Sequence, residues 1–383
     1  MKKEVKLGAV LVVLSMLAGC FAAKDMVKAR EAFAKRHPGK ITVGMIGPLS
    51  LMRDDTGFLK GAALAEAEVN ALNGGALRLT IKVLNDRANF MEGIRIAQSL
   101  AAQPEMTAVV GHWNSAFTIP AARIYNDAGL VMLSPVVSNP ALTNKGYRYV
   151  FRNTLSDAGI GRQLARYAAG KNYRRVVIYY ADNEYGMALA NAFEDAFSRD
   201  GRKVIDRVTD FNNDFEFQKN LDKWRALNYD AVFIADSMPH APEFIRQMRR
   251  ADGKIPMFGG DGLDVADFPV ALGEAAEGFV VATLFNPAQN RSELRRFITK
   301  YRKHYGGEPD VWAAQGYDSV KLLAFAAGKA GGVSPRKIAA ALRRLREWRG
   351  VLGNVSFTAT GELQRKVIYQ KIVHNGKFVY LSD

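Results

Sequence analysis

Residues Ala108–Thr143 read AVVGHWNSAFTIPAARIYNDAGLVMLSPVVSNPALT. Ala108–Gly111 is a short run of small and apolar residues, and Val131–Leu133 is a second. Neither alternates with polar residues, so each reads as a strand buried on both faces. Between them Ser115–Ala128 carries a helical pattern, and Asn139-Pro140 announces a further helical start. A strand, a covering helix and a second buried strand make a parallel pair joined by a crossover.

The same rhythm extends on both sides. Ile41–Ile46 and Leu79–Leu84 read as strands, with helices at Thr56–Leu72 and Phe90–Ala102. A second series has strands at Val176–Tyr180, Val204–Val208, Ala231–Ala235, Met257–Phe258 and Phe279–Thr283. Its helices are Ile160–Ala169, Glu184–Ser198, Glu216–Leu227 and Ala241–Ala251. Two such series predict an α/β protein of two doubly wound parallel-sheet lobes, with ligands bound beyond the carboxyl ends of the strands. Ser292–Tyr305, Asp310–Ala330 and Pro335–Trp348 follow as helices. Val367–His374 and Lys377–Leu381 close the chain as a hairpin turned by Asn375-Gly376.

At 383 residues the chain has room for two such units. Its 48% apolar and 24% charged residues exclude a disordered or fibrous protein. A net charge of +15 invites a nucleic-acid or membrane-surface reading. The single cysteine, Cys20, rules out an internal disulfide or a cysteine metal cluster. The five histidines show no ligand spacing. Gly159-Ile160-Gly161 begins like a dinucleotide fingerprint, but Leu164 stands at the third glycine position. Phosphate-loop, zinc-protease and nucleophile-elbow motifs are absent, so the expectation is no enzyme, no cofactor and no metal.

The N-terminus is an address. Lys2, Lys3 and Lys6 precede the apolar run Leu7–Ala18, which is too short to span a membrane and fits a secretory signal. It ends Leu17-Ala18-Gly19-Cys20, which resembles the bacterial lipobox. That resemblance implies cleavage after residue 19 and acylation of Cys20, so that the exported protein is anchored in a lipid membrane. Phe21 replaces the aspartate that commonly retains lipoproteins in the inner membrane. In a two-membraned cell this implies outer-membrane sorting. Residues 20–40 read as a partly helical tether.

Further motifs carry a resemblance to a family. Gly47-Pro48-Leu49-Ser50 closes the first strand, followed by Gly61, Ala65, Asn70, Gly74-Gly75 and Asp86. Tyr180–Gly186, Phe258–Gly262, Ala313–Ala326 and Gly353–Leu363 come later in order. With Gly111–Thr143, these resemble the branched-chain amino-acid (Leu/Ile/Val) binding proteins, the type I periplasmic solute receptors of ABC importers. The resemblance runs from about Ile41 to the C-terminus. It implies lobes joined by three crossovers, one of residues 41–153 and 285–353, the other of 154–284 and 354–383. It also implies a hinged receptor that binds a small amino acid or related carboxylate between the lobes and delivers it to an ABC permease.

The family's ligand groups map onto five positions. Ser115, at a helix start, would meet the ligand carboxylate together with backbone N–H groups. The Val136 carbonyl would accept from the ligand ammonium, and the Ser138 hydroxyl would serve the carboxylate. Asp261, in a glycine-rich turn, takes the acidic position opposite the ammonium and is one methylene shorter than the glutamate usual there. Tyr185 would close over the ligand from the second lobe. Trp113, Phe117 and Ser237 are further pocket positions at which this chain departs from the amino-acid receptors. Arg53 stands near the expected cleft mouth.

Other functions fit less well. Repressors share this fold but carry three DNA-binding helices before the first lobe, where this chain has only a signal and a short tether. No nucleic-acid partner is therefore expected. An envelope lipoprotein of the same fold, acting as a sensor or as an activator of a cell-wall enzyme, is the alternative. Basic residues cluster on two helical patterns, Arg295–Lys303 and Arg336–Arg349, away from the cleft motifs.

Overall fold

The computed structural model describes residues 25–72, 75–364 and 367–381. The apolar leader and Cys20 lie outside the described residues. Among those described, no helix is long and apolar enough to cross a membrane.

The chain enters as a helix, α1 (residues 25–36), and passes into β1 (Lys40–Gly47). The first series runs α2 (Phe58–Leu72), β2 (Arg78–Asn85), α3 (Phe90–Ala101), β3 (Ala108–Val110), α4 (Ser115–Asp127), β4 (Val131–Ser134) and β5 (Val150–Arg152). Its five strands pair in parallel in the order β2-β1-β3-β4-β5. Successive residues point to opposite faces, which sorts the core. Val43, Met45, Val110, Val131 and Leu133 pack on one side with Phe58 and Ala62 of α2. Ile46, Val109 and Met132 pack on the other with Ile96 of α3 and Tyr125 of α4.

The second series runs α5 (Asp157–Gly170), β6 (Arg175–Tyr180), α6 (Glu184–Phe197), β7 (Lys203–Val208), α7 (Asp214–Ala226), β8 (Ala231–Ala235), α8 (Ala241–Ala251), β9 (Met257–Gly259), α9 (Asp267–Leu272) and β10 (Val280–Thr283). Val176 and Ile178 face Phe193 of α6, while Val177 and Tyr179 face Trp224 and Phe244. The chain then crosses back. α11 (Val311–Ala330) and α12 (Pro335–Arg343) pack into the core of the first sheet, and α10 (Ser292–Tyr305) packs outside them against α2 and the segment after α12. α11 lies against α2 at very short range. A Cβ on Gly61 would fall 1.9 Å from the Ala313 carbonyl oxygen, and one on Gly316 would fall 2.2 Å from that of Phe58. Glycine is required at this crossing for space rather than for φ.

A small hairpin follows, β11 (Trp348–Gly350) with β12 (Gly353–Val355). Its turn is held by the Asp318 carboxylate, which accepts from the Val351 and Leu352 N–H groups at 2.8 and 2.9 Å. The closing hairpin, β13 (Tyr369–His374) and β14 (Lys377–Tyr380), joins the second sheet antiparallel to β10. That sheet reads β14-β13-β10-β9-β8-β6-β7. Asn375 and Gly376 both have positive φ, 50° and 71°, as the favoured two-residue hairpin turn demands.

Four expectations are corrected. Residues 25–36, expected within a partly helical tether, are helical as expected but docked on the first lobe. The Arg30 side chain is 1% exposed and donates to the carbonyls of Leu100 and Ala101 at the end of α3, of Gln103 and Met106, and of Ala128 at the end of α4. Burial lowers its pKa to about 10, so it stays charged. Five carbonyl oxygens, three of them in the closing turns of α3 and α4, supply its ligation. The helix expected to run to Trp348 stops at Arg343, and Trp348 is a strand residue. The division expected after residue 353 lies further on, because Val355, Phe357 and Leu363 pack in the first core and the Arg152 N–H donates to Gly361. β5 is a strand that the sequence reading does not contain.

Candidate ligand-binding cleft

Every parallel strand ends toward the gap between the two sheets, so the loops beyond β1, β3, β4, β6, β8 and β9 converge there. They enclose a cavity of about 180 Å³. From the first lobe it is lined by Trp113, Ser115, Val136 and Ser138, and from the second by Tyr185, Ser237 and Asp261. Seven of the eight expected pocket and ligand positions are thus brought together.

Phe117 is the exception. Two residues beyond Ser115 on α4, it turns to the opposite side of the helix. It is 2% exposed, stacks edge-on against His112 and packs where a Cβ on Gly93 of α3 would stand. Arg53 does not line the cavity either. It pairs with exposed Asp54 at 2.8 Å.

Ser115 opens α4 and is buried. The Asn114 side chain caps the helix by accepting from the Ala116 N–H at 2.8 Å. The Val136–Ser138 loop is held from behind by Arg152, which is fully buried. Its guanidinium donates to the Ser138 and Asn139 carbonyls at 2.8 and 2.6 Å, to the Thr143 hydroxyl at 3.0 Å and to Glu362. The Asp157 N–H also donates to the Ser138 carbonyl, at 2.9 Å. The Ser138 carbonyl is therefore occupied, and its hydroxyl lies between the cavity and the Asp157 carboxylate.

On the second lobe the Tyr185 hydroxyl donates to Asp261 Oδ1 and accepts from the Gly262 N–H, both at 3.1 Å. Burial pushes Asp261 up to about 6, against the hydrogen bond from Tyr185 that favours its charge. Burial, reinforced by the Asp261 charge, holds the Tyr185 phenol well above its ordinary value. Two hydrogen bonds cross the cleft. Asn139 Nδ2 donates to the Glu184 carbonyl at 2.7 Å, and Trp312 Nε1 donates to the Asp264 carbonyl at 2.8 Å. The lobes therefore stand closed on each other.

The sequence reading missed Trp312, which stacks on Trp113 at 5.2 Å and forms an apolar wall with Leu51, Met238 and Val265. Trp312 opens a helix 199 positions beyond Trp113, and no local pattern links them. It also missed Asp157, the first residue of α5. This carboxylate is fully buried, and neither oxygen has a hydrogen-bond partner of good geometry. Burial, with the Asp261 charge adding to it, pushes it up to about 8 against the nearby Ser138 hydroxyl and Arg152. Asp157 is thus a neutral acid near pH 7.

That shift has a sign. The folded protein holds a proton on Asp157 between about pH 4 and 8 that the unfolded chain releases. The stability contributed by this group therefore falls as pH rises through that window and is level above it. Asp157→Asn keeps the shape without the titration. We expect it to melt higher than the parent at pH 8.5 and about equally near pH 4, read by scanning calorimetry. A parallel pH profile for the two proteins would contradict the assignment.

Fold and site together define a two-lobed α/β receptor that holds a small polar ligand between its sheets. The comparisons sharpen the class. A periplasmic binding protein family model matches residues 40–377, and the chain belongs to that family. It is 28% identical over 351 residues to Leu/Ile/Val-binding protein homolog 2 of Brucella abortus, covering 89% of this chain and 93% of that one. An ABC transporter substrate-binding protein from Desulfitobacterium hafniense, solved in complex with Leu, superposes with a TM-score of 0.82 at 38% identity. That match covers 89% of this chain and 100% of the other. The branched-chain amino acid transporter substrate binding protein LivJ from Streptococcus pneumoniae, in complex with isoleucine, matches with a TM-score of 0.78 at 27% identity, covering 89% and 100%.

Proposed function

We propose that this chain is an extracytoplasmic receptor that closes around an L-amino acid with an apolar side chain and delivers it to an ABC permease. The observation that carries this is the pairing across one small cavity of Ser115 and Ser138 with Asp261 and Tyr185. The two serine hydroxyls and the N–H groups opening α4 receive the ligand carboxylate. The Asp261 carboxylate and the Val136 carbonyl receive the ammonium. Tyr185 orients Asp261 through their hydrogen bond. The Trp113–Trp312 wall, with Leu51, Met238 and Val265, takes the side chain; Ser237 stands at its rim. At about 180 Å³ the cavity is below the range of drug-sized sites and admits a ligand of amino-acid size.

The two sheets with their helices act as the moving bodies, and the three crossovers act as hinges. A ligand that touches both lobes stabilises the closed form, because only that form presents both sets of groups. Charge-assisted hydrogen bonds of about 1.5–3 kcal/mol each are sufficient for such a shift. The leader directs export, and acylation of Cys20 holds the protein at a membrane.

Titration calorimetry with L-leucine, L-isoleucine and L-valine tests the reading. The parent is expected to bind at least one, and Ser115→Ala with Ser138→Ala to lose the carboxylate contacts and bind it at least tenfold more weakly. No binding of any amino acid, or binding that the double substitution leaves unchanged, would overturn it.

A further inference from the structure

The excess of positive charge is not spread evenly over the first lobe. α12 and the segment after it carry Arg336, Lys337, Arg344 and Arg346, all exposed, and Arg148 lies beside them. None of these five side chains makes an ion pair or a side-chain hydrogen bond among the described residues. Arg343, at their centre, is committed. It donates to the carbonyls of Tyr147, Arg148 and Ala359 and lies over the Phe151 ring at 4.8 Å. Burial, and after it the charge of Arg148, lowers its pKa.

The surface here is concave. One groove of about 630 Å³ is lined by Arg343, Arg344, Arg346, Ser356 and Gln364. A second, of about 270 Å³, is lined by Arg148, Arg336, Arg343 and Arg344. The two share Arg343 and Arg344 and so form one basic trough.

Its position is defined by α1. Glu31 of that helix accepts from the Ser334 hydroxyl at the start of α12 at 2.7 Å, so α1 and the trough are neighbours. Arg30 fixes α1 to carbonyls at the amino-terminal ends of β3 and β4, the pole opposite the cleft. Residue 25, where α1 begins, is five residues from Cys20, so an acyl chain there lies within about 17 Å of the helix start. A short leash on a docked helix brings this face of the lobe to the bilayer.

We propose that the trough along α12 binds the anionic phosphate headgroups of the bilayer in which Cys20 is anchored, and that it orients the receptor with its cleft away from that surface. The acyl chain supplies attachment and the trough supplies orientation. Attraction of this kind decays within a Debye length of about 8 Å at physiological salt, so it requires the proximity that α1 imposes. The geometry rests on the anchorage proposed above, whereas the recognition of headgroups is a property of the lobe itself.

The test is co-sedimentation of the full chain with vesicles of 30% phosphatidylglycerol in phosphatidylcholine, and with vesicles of phosphatidylcholine alone. The part of the affinity that depends on phosphatidylglycerol should vanish at 0.5 M salt. At about fivefold per cation, Arg336→Ser with Arg344→Ser and Arg346→Ser should lower that part about a hundredfold at low salt. Binding to neutral vesicles reports the leader alone and should not change. Equal binding of the parent and the triple variant to the anionic vesicles would overturn the proposal. So would a variant that loses binding of heparin, a soluble polyanion, while keeping the vesicles. Amino-acid binding, measured on the same two proteins, should be identical. Failure of the parent to bind any amino acid would count against the receptor reading and not against the trough.

Discussion

Asp261→Ala should weaken amino-acid binding by about 10–150-fold, the cost of one charge-assisted hydrogen bond of about 1.5–3 kcal/mol. The same substitution should raise the melting temperature of the empty protein. Burial holds Asp261 near 6, so at neutral pH the folded protein carries a charge that the unfolded chain would bear more easily. Removing it relieves on the order of 3 kcal/mol, less about 1 kcal/mol for the Tyr185 hydrogen bond lost with it. A ligand ammonium provides the compensation that the empty site lacks. The pH dependence follows from the same shift. Binding needs the ionised carboxylate, so the affinity of the parent should fall as pH drops below about 6, while that of Asp261→Ala should stay level. Calorimetry at pH 5 and 7.5 on both proteins reads all of this. An unchanged affinity at pH 7.5 would remove Asp261 from the ammonium site.

Arg30→Ala should cost about 3–5 kcal/mol, the range for breaking a buried charged cluster, and should release α1 from the lobe. Five carbonyls lose their donor, and three separate chain segments lose their common link. Arg30→Lys should not restore the docking, because a single ammonium cannot span the spread of acceptors that a planar guanidinium reaches. Amide hydrogen exchange gives the direct readout. Residues 25–36 should exchange slowly in the parent and at nearly the free-peptide rate in both variants. Retained protection in Arg30→Ala would mean that the apolar contacts of α1, such as Val27 against Gly129, hold it without the arginine.

The contrast between these two residues indicates what can be read from a sequence of this kind. The sheets were legible because Val43, Met45, Val109, Val110 and Val131 belong to runs that only a doubly covered strand tolerates. Asp261 came from the family resemblance, which puts an acidic residue in the Gly-Gly-Asp-Gly turn, and the fold brings that turn to the cavity. Arg30 was not legible, since its acceptors are 70 to 98 positions away and its own surroundings resemble any basic helix. Trp312, Asp157 and Arg152 escaped for the same reason. An arginine ending Val-Phe-Arg and an aspartate opening a helix look like an edge and a cap until the fold buries them. The overlong helix through Trp348 is a different failure. Leu342 and Leu345 continue the helical spacing past Arg343, and the hairpin that takes over the chain instead is held by Asp318, thirty-three positions before the Val351 N–H that it binds.

The hydrogen bonds from Asn139 to Glu184 and from Trp312 to Asp264 have one more effect. Each runs directly from one lobe to the other, so both reward the shut form whether or not anything is inside. At about 0.5–1.5 kcal/mol net each, together they raise the idle shut fraction about five- to 150-fold over a receptor without them. A larger shut fraction tightens apparent affinity, because less binding energy is spent on movement. It also lets an empty receptor present itself to the permease as though it carried cargo. These two contacts therefore set a compromise between scavenging a scarce nutrient and wasting transport cycles, and they set it with bonds from one lobe to the other rather than with bonds to the nutrient.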